Sequence, residues 1–251
     1  MCPEIATPGG CPDFEGKGLD RLLEQVRGLL GEVFDRLEAV AAEAVARRRT
    51  VLAKGGVFGV RDVAGLKPVM IEQLTAQPAA DGLGFLAAPD LLPDRERHIE
   101  WWQRSSRGYV PMRFNLDPTS VDAYDYFDMD WFAAARDHSR RAVFGPYVDY
   151  SGADRYVCTL TVPVVDGTFL GVVGADLRMT EFEPRLLDVL RRVGHDAVLV
   201  GAERRVVAAN TPRWLVGSRL PRIPRPGDGE FIAVGEVGLD SDWVLALAPR
   251  E

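Results

Sequence analysis

The chain has 251 residues, 47% of them hydrophobic and 27% charged, and a formal net charge of −7. That is enough apolar chain for one large domain or two small ones with a true core. The acidic balance, with no Lys/Arg cluster beside a helix-turn-helix or finger pattern, excludes a nucleic-acid surface.

Residues 1–18 are rich in Gly and Pro and predict a flexible arm carrying Cys2 and Cys11. From there apolar residues recur at Leu19, Leu22, Val26, Leu29, Val33, Leu37, Val40 and Ala44, spaced by three and four. This stripe predicts a long helix over 19–48. It fits a helix packed on its own domain or a homodimer seam, and Gly28 and Gly31 weaken it as a free-standing coiled coil. Residues 59–77 predict a helix interrupted at Pro68, and residues 82–90 and 98–105 a pair of strands. Residues 107–118 read as irregular, followed by a helix around Asp128–Arg140 and a turn, FGPYVDYSGADR.

Two apolar runs, YVCTLTVPVV and FLGVVGADLR, flank Asp166-Gly167 and predict a β-hairpin. Cys158 within it reads as a small buried hydrophobe. Residues 180–194 form an amphipathic helix, with Thr180 as N-cap, Glu183 at the capping-box position and Gly194 as stop. Four short strands close the chain, with a Pro/Gly-rich connection between the second and third. The fold class is α+β: a long N-terminal helix (19–48), a main antiparallel-sheet lobe (49–179), and a helix plus smaller lobe (180–251).

Three cysteines are too few for a disulfide framework. No run approaches the roughly 20 apolar residues of a membrane span. No basic start followed by an apolar core marks a signal peptide. These features predict a cytoplasmic protein with no membrane partner. His98, His138 and His195 are scattered and form no metal-binding spacing. Neither a nucleophile elbow nor a P-loop is present, so the reading is a non-enzyme without cofactor. An amine-processing enzyme would need a base or cofactor that the sequence does not display.

What remains is a constellation of aromatics and acids. Tyr124, Met129, Trp131, Phe132, Tyr147 and Asp176 come from three segments that a helix laid over a hairpin would bring together. Aromatic faces attract cations, and a buried Asp adds a charge-assisted hydrogen bond to an ammonium group. The same residues also suit an ordinary core with Asp176 capping a turn.

The segment GPYVDYSGADRYVCTLTVPV with GTFLGVVGADL, the early helix VFGVRDVAGLKPVM and the long N-terminal helix resemble double Cache sensor domains. That resemblance implies a PAS-like ligand-binding lobe and a smaller PAS-like lobe. In the amino-acid-sensing subset the motif is Tyr, then Arg-x-Trp-Tyr, then a Tyr in a Gly-Pro-Tyr-like turn, then a strand-end Asp. Tyr124, Trp131, Tyr147 and Asp176 match it, Phe132 stands in place of Tyr, and Met129 in place of Arg. In the family the Arg holds the ligand carboxylate, while Tyr and the strand-end Asp hold its amino group. The resemblance thus implies an amine half-site without its carboxylate clamp, and a small amine or quaternary ammonium ligand. An amino acid is the alternative if Arg104, Arg107 or Arg113 replaces the clamp.

Asp128 beside Met129 would favour a second positive charge, or is a solvent-facing acid near a helix start. Trp102, or its neighbour Trp101, would close the pocket. Output would pass through a separate regulator or transporter, or through dimer geometry at the N-terminal helix. A purely structural dimerisation module is the remaining alternative.

Overall fold

The structure, a computed structural model, describes residues 12–149 and 155–250. Most of the expected arm, with Cys2 and Cys11, lies outside the described residues. Residues 12–18, read as part of that arm, are already helical. Helix α1 (Pro12–Ala53) runs 42 residues, longer at both ends than its apolar stripe. Short helices α2 (Val60–Ala64) and α3 (Lys67–Ala76) follow, and Pro68 opens α3 instead of interrupting a longer helix.

Strands β1 (Ala80–Ala87), β2 (Ile99–Ser105) and β3 (Gly108–Met112) lead to α4 (Asp130–His138), and then come β4 (Ala142–Asp149), β5 (Arg155–Asp166) and β6 (Thr168–Arg178). These six strands form one antiparallel sheet in the order β3-β2-β1-β6-β5-β4. Two regions differ from the sequence reading. The segment taken as irregular contains edge strand β3, where Pro111 removes no central ladder bond. The segment taken as a turn begins as strand β4, paired with β5.

Helix α5 (Met179–Leu190) starts one residue before Thr180, with Arg178 at the cap and no side-chain capping bond. It leads to β7 (Asp196–Val200), β8 (Val206–Ala209), β9 (Ala233–Glu236) and β10 (Val244–Ala248), a second sheet in the order β8-β7-β10-β9. The chain is therefore an α+β protein with a long N-terminal helix and two antiparallel sheets, as its patterning predicts.

Helix α1 is shared by both sheets. Leu22, Val26, Leu30, Val33, Phe34, Leu37 and Val40 are fully buried in one core with Leu160, Leu177, Leu199, Leu245 and Leu247. The heptad-like stripe is thus covered by the chain's own sheets and offers no seam to a second copy. Arg27 ties the helix to the second sheet by donating to the carbonyls of Val237 (2.6 Å) and Glu236 (3.0 Å).

The other face of the first sheet is covered by α4 and the long segment before it, and this face holds the candidate site. Glycines make room there. A Cβ on Gly82 or Gly84 would run into the indole of Trp101, and one on Gly84 would also strike the Glu100 carbonyl.

Two glycines give predictions of opposite sign, both read by chemical denaturation. Gly28 is exposed mid-helix with nothing near its missing Cβ, so Gly28→Ala should add about 0.5–1 kcal/mol. Gly84→Ala should cost about 1–3 kcal/mol by displacing the indole or bending the strand.

Candidate functional site

The site is built on the central strands. Asp176 on β6 is flanked by Gly82 on β1 and Thr159 on β5. A β-bulge places one extra residue, Asp81, in β1 just before Gly82. A second bulge in β4 carries the register from Phe144↔Thr159 to Tyr147↔Val157 and re-aims Tyr147. The Tyr147 hydroxyl lies 2.8 Å from Thr159 Oγ1, which donates to Asp176 Oδ1 at 2.6 Å. Thr159 has one proton to give, so Tyr147 donates to Thr159 and the relay ends on the carboxylate.

Asp176, Thr159, Thr161, Gly174, Tyr147 and Asp149 supply the polar lining of a cavity, and Leu86, Trp101, Met112, Phe114, Tyr124 and Trp131 its apolar and aromatic lining. Its open volume is about 20 Å³, room for about one water, so a ligand of several heavy atoms requires these walls to part. Trp101 meets Phe114 edge-on at 6.5 Å, and Phe114 lies against Tyr124 at 4.8 Å. The wall is pinned from behind by Tyr126, which is fully buried. Its hydroxyl donates to the Ala87 carbonyl (2.8 Å) and accepts from the His98 amide (3.2 Å). Arg97 adds an ion pair to Asp125 at 2.9 Å and lies 4.7 Å over the Phe127 ring.

The electrostatics are one-sided. Asp176 is half-buried as a residue, but the surface it keeps faces the cavity, and desolvation pushes its carboxyl up to about 7. The neighbouring carboxylates of Asp149 and Asp81 push the same way, against the hydrogen bond from Thr159. Burial, and then the charge of Asp176, hold the Tyr124 and Tyr147 hydroxyls far above the ordinary phenol range, so both remain donors. No Lys or Arg lines the cavity among the described residues. Arg104 is committed to the carbonyls of Leu74 (2.6 Å) and Ala80 (3.3 Å), while Arg107 and Arg113 are exposed. None of the three lines the cavity.

Four of the residues singled out from sequence line this cavity: Tyr124, Trp131, Tyr147 and Asp176. Four others do not. Phe132, one helical step from Trp131, points into the aromatic core between Tyr126 (5.2 Å) and Phe169 (5.5 Å). Met129 caps α4 and packs on that same core, and Asp128 is exposed to solvent. Trp102 lies on the opposite face of the sheet, its indole donating to Glu100 at 2.8 Å with Lys67 4.0 Å over its ring.

Of the neighbours Trp101 and Trp102 it is Trp101 that lines the cavity, with Phe114, Met112, Thr159, Thr161 and Asp149 joining it unforeseen. Strand alternation carries the signal for some of them: Asp149 follows Tyr147 by two, and Thr159 and Thr161 share one face of β5. Cys158 points to the opposite side, fully buried, and desolvation pushes its thiol well above the usual range.

Residues 66–183 match the family model described as methyl-accepting chemotaxis protein-like, first PDC sensor domain. Solved structures match across nearly the whole chain. The ligand-binding domain of the Pseudomonas fluorescens chemoreceptor CtaA, in complex with L-serine, is 18% identical, with 95% of this chain and 96% of that one covered and a TM-score of 0.60. That of the Pseudomonas aeruginosa PAO1 amino acid chemoreceptor PctC, in complex with GABA, is 19% identical over 95% and 99%, with a TM-score of 0.60. That of the Campylobacter jejuni chemoreceptor Tlp3, in complex with L-valine, is 13% identical over 93% and 92%, with a TM-score of 0.60.

No curated protein matches the chain. The match to chemoreceptor sensor domains overturns the cytoplasmic placement, since such domains sit outside the membrane. That placement had rested on missing leader and spanning segments. No helix among the described residues is long and apolar enough to cross a membrane, which says nothing about the side of it on which the domain lies.

The raised pKa of Asp176 gives a stability signature. Between its ordinary range near 4 and about 7 the folded state holds a proton that the unfolded state has released, so this group's contribution to stability falls as pH rises through that window. Asp176→Asn removes that dependence. The melting temperature of the wild type relative to this variant should therefore drop between pH 4 and pH 7 and level off above.

Proposed function

We propose that this chain, whose residues 66–183 match a PDC sensor family model, acts as a double Cache sensor domain and binds a small organic ammonium ion in the cavity on the first sheet. One observation carries the reading. The Asp176 carboxyl is desolvated, aimed into a cavity walled by aromatic rings, and matched by no cationic side chain in the lining. Such a group is satisfied either by a proton or by a bound cation. An ammonium supplies the charge, accepts the aromatic faces of Tyr124, Trp131 and Trp101 through their quadrupoles, and displaces the proton. A carboxylate on the same ligand would be buried without a partner and would weaken binding. Primary amines therefore fit best, with Asp176 as counter-charge, Tyr147 and Thr159 orienting it, and Asp149 adding negative potential.

A second reading has its own support. The similar structures were solved with L-serine, L-valine and GABA, each of which pairs an ammonium with a carboxylate. On that side of the balance the chain binds an amino acid, and a cation outside the lining must be brought up to its carboxylate when the walls part. Both readings share the ammonium half of the site.

Calorimetric titration with matched pairs separates them: ethanolamine against L-serine, isobutylamine against L-valine, propylamine against GABA. Amines binding while their parent acids do not is the expected result. Binding of the acids alone would replace it with the amino-acid reading, and silence from every pair would remove both. Asp176→Asn should abolish whichever binding is found without lowering the ligand-free melting temperature at pH 8. Affinity should also weaken by about tenfold per pH unit below about 7, as the proton competes for the carboxylate.

A further inference from the structure

A second cavity lies on the other sheet, at the far end of α1 from the aromatic site. It measures about 690 Å³, and its walls come from three elements. Lys17, Arg21 and Gln25 stand at i, i+4 and i+8 on one face of α1. Arg192 and His195 come from the segment between α5 and β7, and Leu22, Val193 and Leu247 give an apolar floor. Among the described residues no carboxylate lines it, although the chain as a whole carries a net charge of −7.

Most arginines near the sheets are committed: Arg27 to carbonyls of β9, Arg48 and Arg49 to Asp166, Arg140 to Asp240, Arg185 to Glu32. Lys17, Arg21 and Arg192 have neither an ion pair nor a side-chain hydrogen bond among the described residues. Three like charges held around one concavity repel one another, and an anion placed between them relieves that repulsion. At the inner end of the row, Gln25 Oε1 is buried and accepts no hydrogen bond, so it awaits a donor.

We propose that this groove is an anion site for a phosphate ester bearing a hydroxyl group. Two guanidinium forks and an ammonium match the geometry and double charge of a phosphate better than a single carboxylate. The ester's hydroxyl answers Gln25 Oε1, and its carbon body lies on Leu22 and Leu247. This chemistry belongs equally to a free metabolite-sized phosphate and to a phospholipid headgroup. The site is independent of the ammonium cavity and does not rest on its ligand.

The test uses the full chain, the double variant Arg21→Ala/Arg192→Ala and Asp176→Asn. Both arginines are exposed, so the double variant should keep the wild-type melting temperature. In one arm, glycerol 3-phosphate and inorganic phosphate are titrated calorimetrically at low ionic strength. In the other, the protein is co-sedimented with phosphatidylcholine vesicles with and without phosphatidylglycerol. Saturable binding in either arm is expected, at least about tenfold weaker in the double variant and unchanged in Asp176→Asn. Binding of soluble glycerol 3-phosphate assigns a free phosphate ester. Binding only to vesicles containing phosphatidylglycerol assigns a headgroup. No binding in either arm, or equal binding by the double variant, overturns the proposal.

Discussion

A sheet covered on both faces has no outward side, and every central strand of the first sheet must satisfy two different interiors at once. On β5 and β6 one parity (Cys158, Leu160, Val162; Leu177, Ala175, Val173) feeds the core against α1, while the other (Thr159, Thr161; Asp176, Gly174) lines the cavity. The second set is polar or small because it must leave space and hold a charge. Neither strand has a polar side facing water, so both read as nearly continuous apolar runs. The site exists because one parity of those runs was given over to Thr, Gly and Asp.

That division concentrates an electrostatic problem at one atom pair. The Asp176 carboxylate accepts one short hydrogen bond from Thr159 and feels the negative charges of Asp149 and Asp81. Asp81 is itself buried but compensated, by Arg155 at 2.7 Å, Arg178 at 3.5 Å and Gln103 at 3.1 Å. Two buried acids on adjacent strands thus have opposite fates. Asp81 is a structural charge locked at a bulge, whereas Asp176 faces the cavity with no cationic side chain in the lining among the described residues. Proximity to Asp81 makes ionisation of Asp176 without a counter-charge still less favourable.

Much of this was legible in the sequence. The long helix, the hairpin at Asp166-Gly167 and the four closing strands follow from periodicity and turn chemistry, while the acid near the end of β6 stands out through the family resemblance. Errors gathered where one residue decides a face. Trp101 and Trp102 are equally plausible from composition, and only the register Gly84↔Trp101 beside glycines on β1 places the first in the cavity and the second in the core. Trp131 and Phe132 differ by one helical step and divide in the same way. The bulges at Asp81 and before Tyr147 re-phase their strands, and simple alternation has no means of announcing them. Strand β3 and the wall residues Met112 and Phe114 sit in a stretch broken by Pro111 and Gly108, which reads as loop until its partner strand is known.

Helix α1 gives the two sheets a common reference. Its apolar face is shared by the first core and by Leu199, Leu245 and Leu247 of the second, so neither sheet can slide along it without exposing buried Leu and Val. Near the surface, ion pairs add to this buried contact: Arg140 and Arg141 reach Asp240 in the β9–β10 loop, and Arg141 reaches Glu38 on α1. Exposed pairs of this kind hold geometry weakly. Both arginines lie at the junction of α4 with β4, the two elements that carry Trp131 and Tyr147. The loop that holds Asp240 is itself anchored in the main core, with Val237 and Trp243 fully buried and Leu239 packed against that core. The second sheet is therefore fixed to the spine by buried side chains, while its links to the α4–β4 junction through Asp240 are exposed ion pairs that add little to that anchoring.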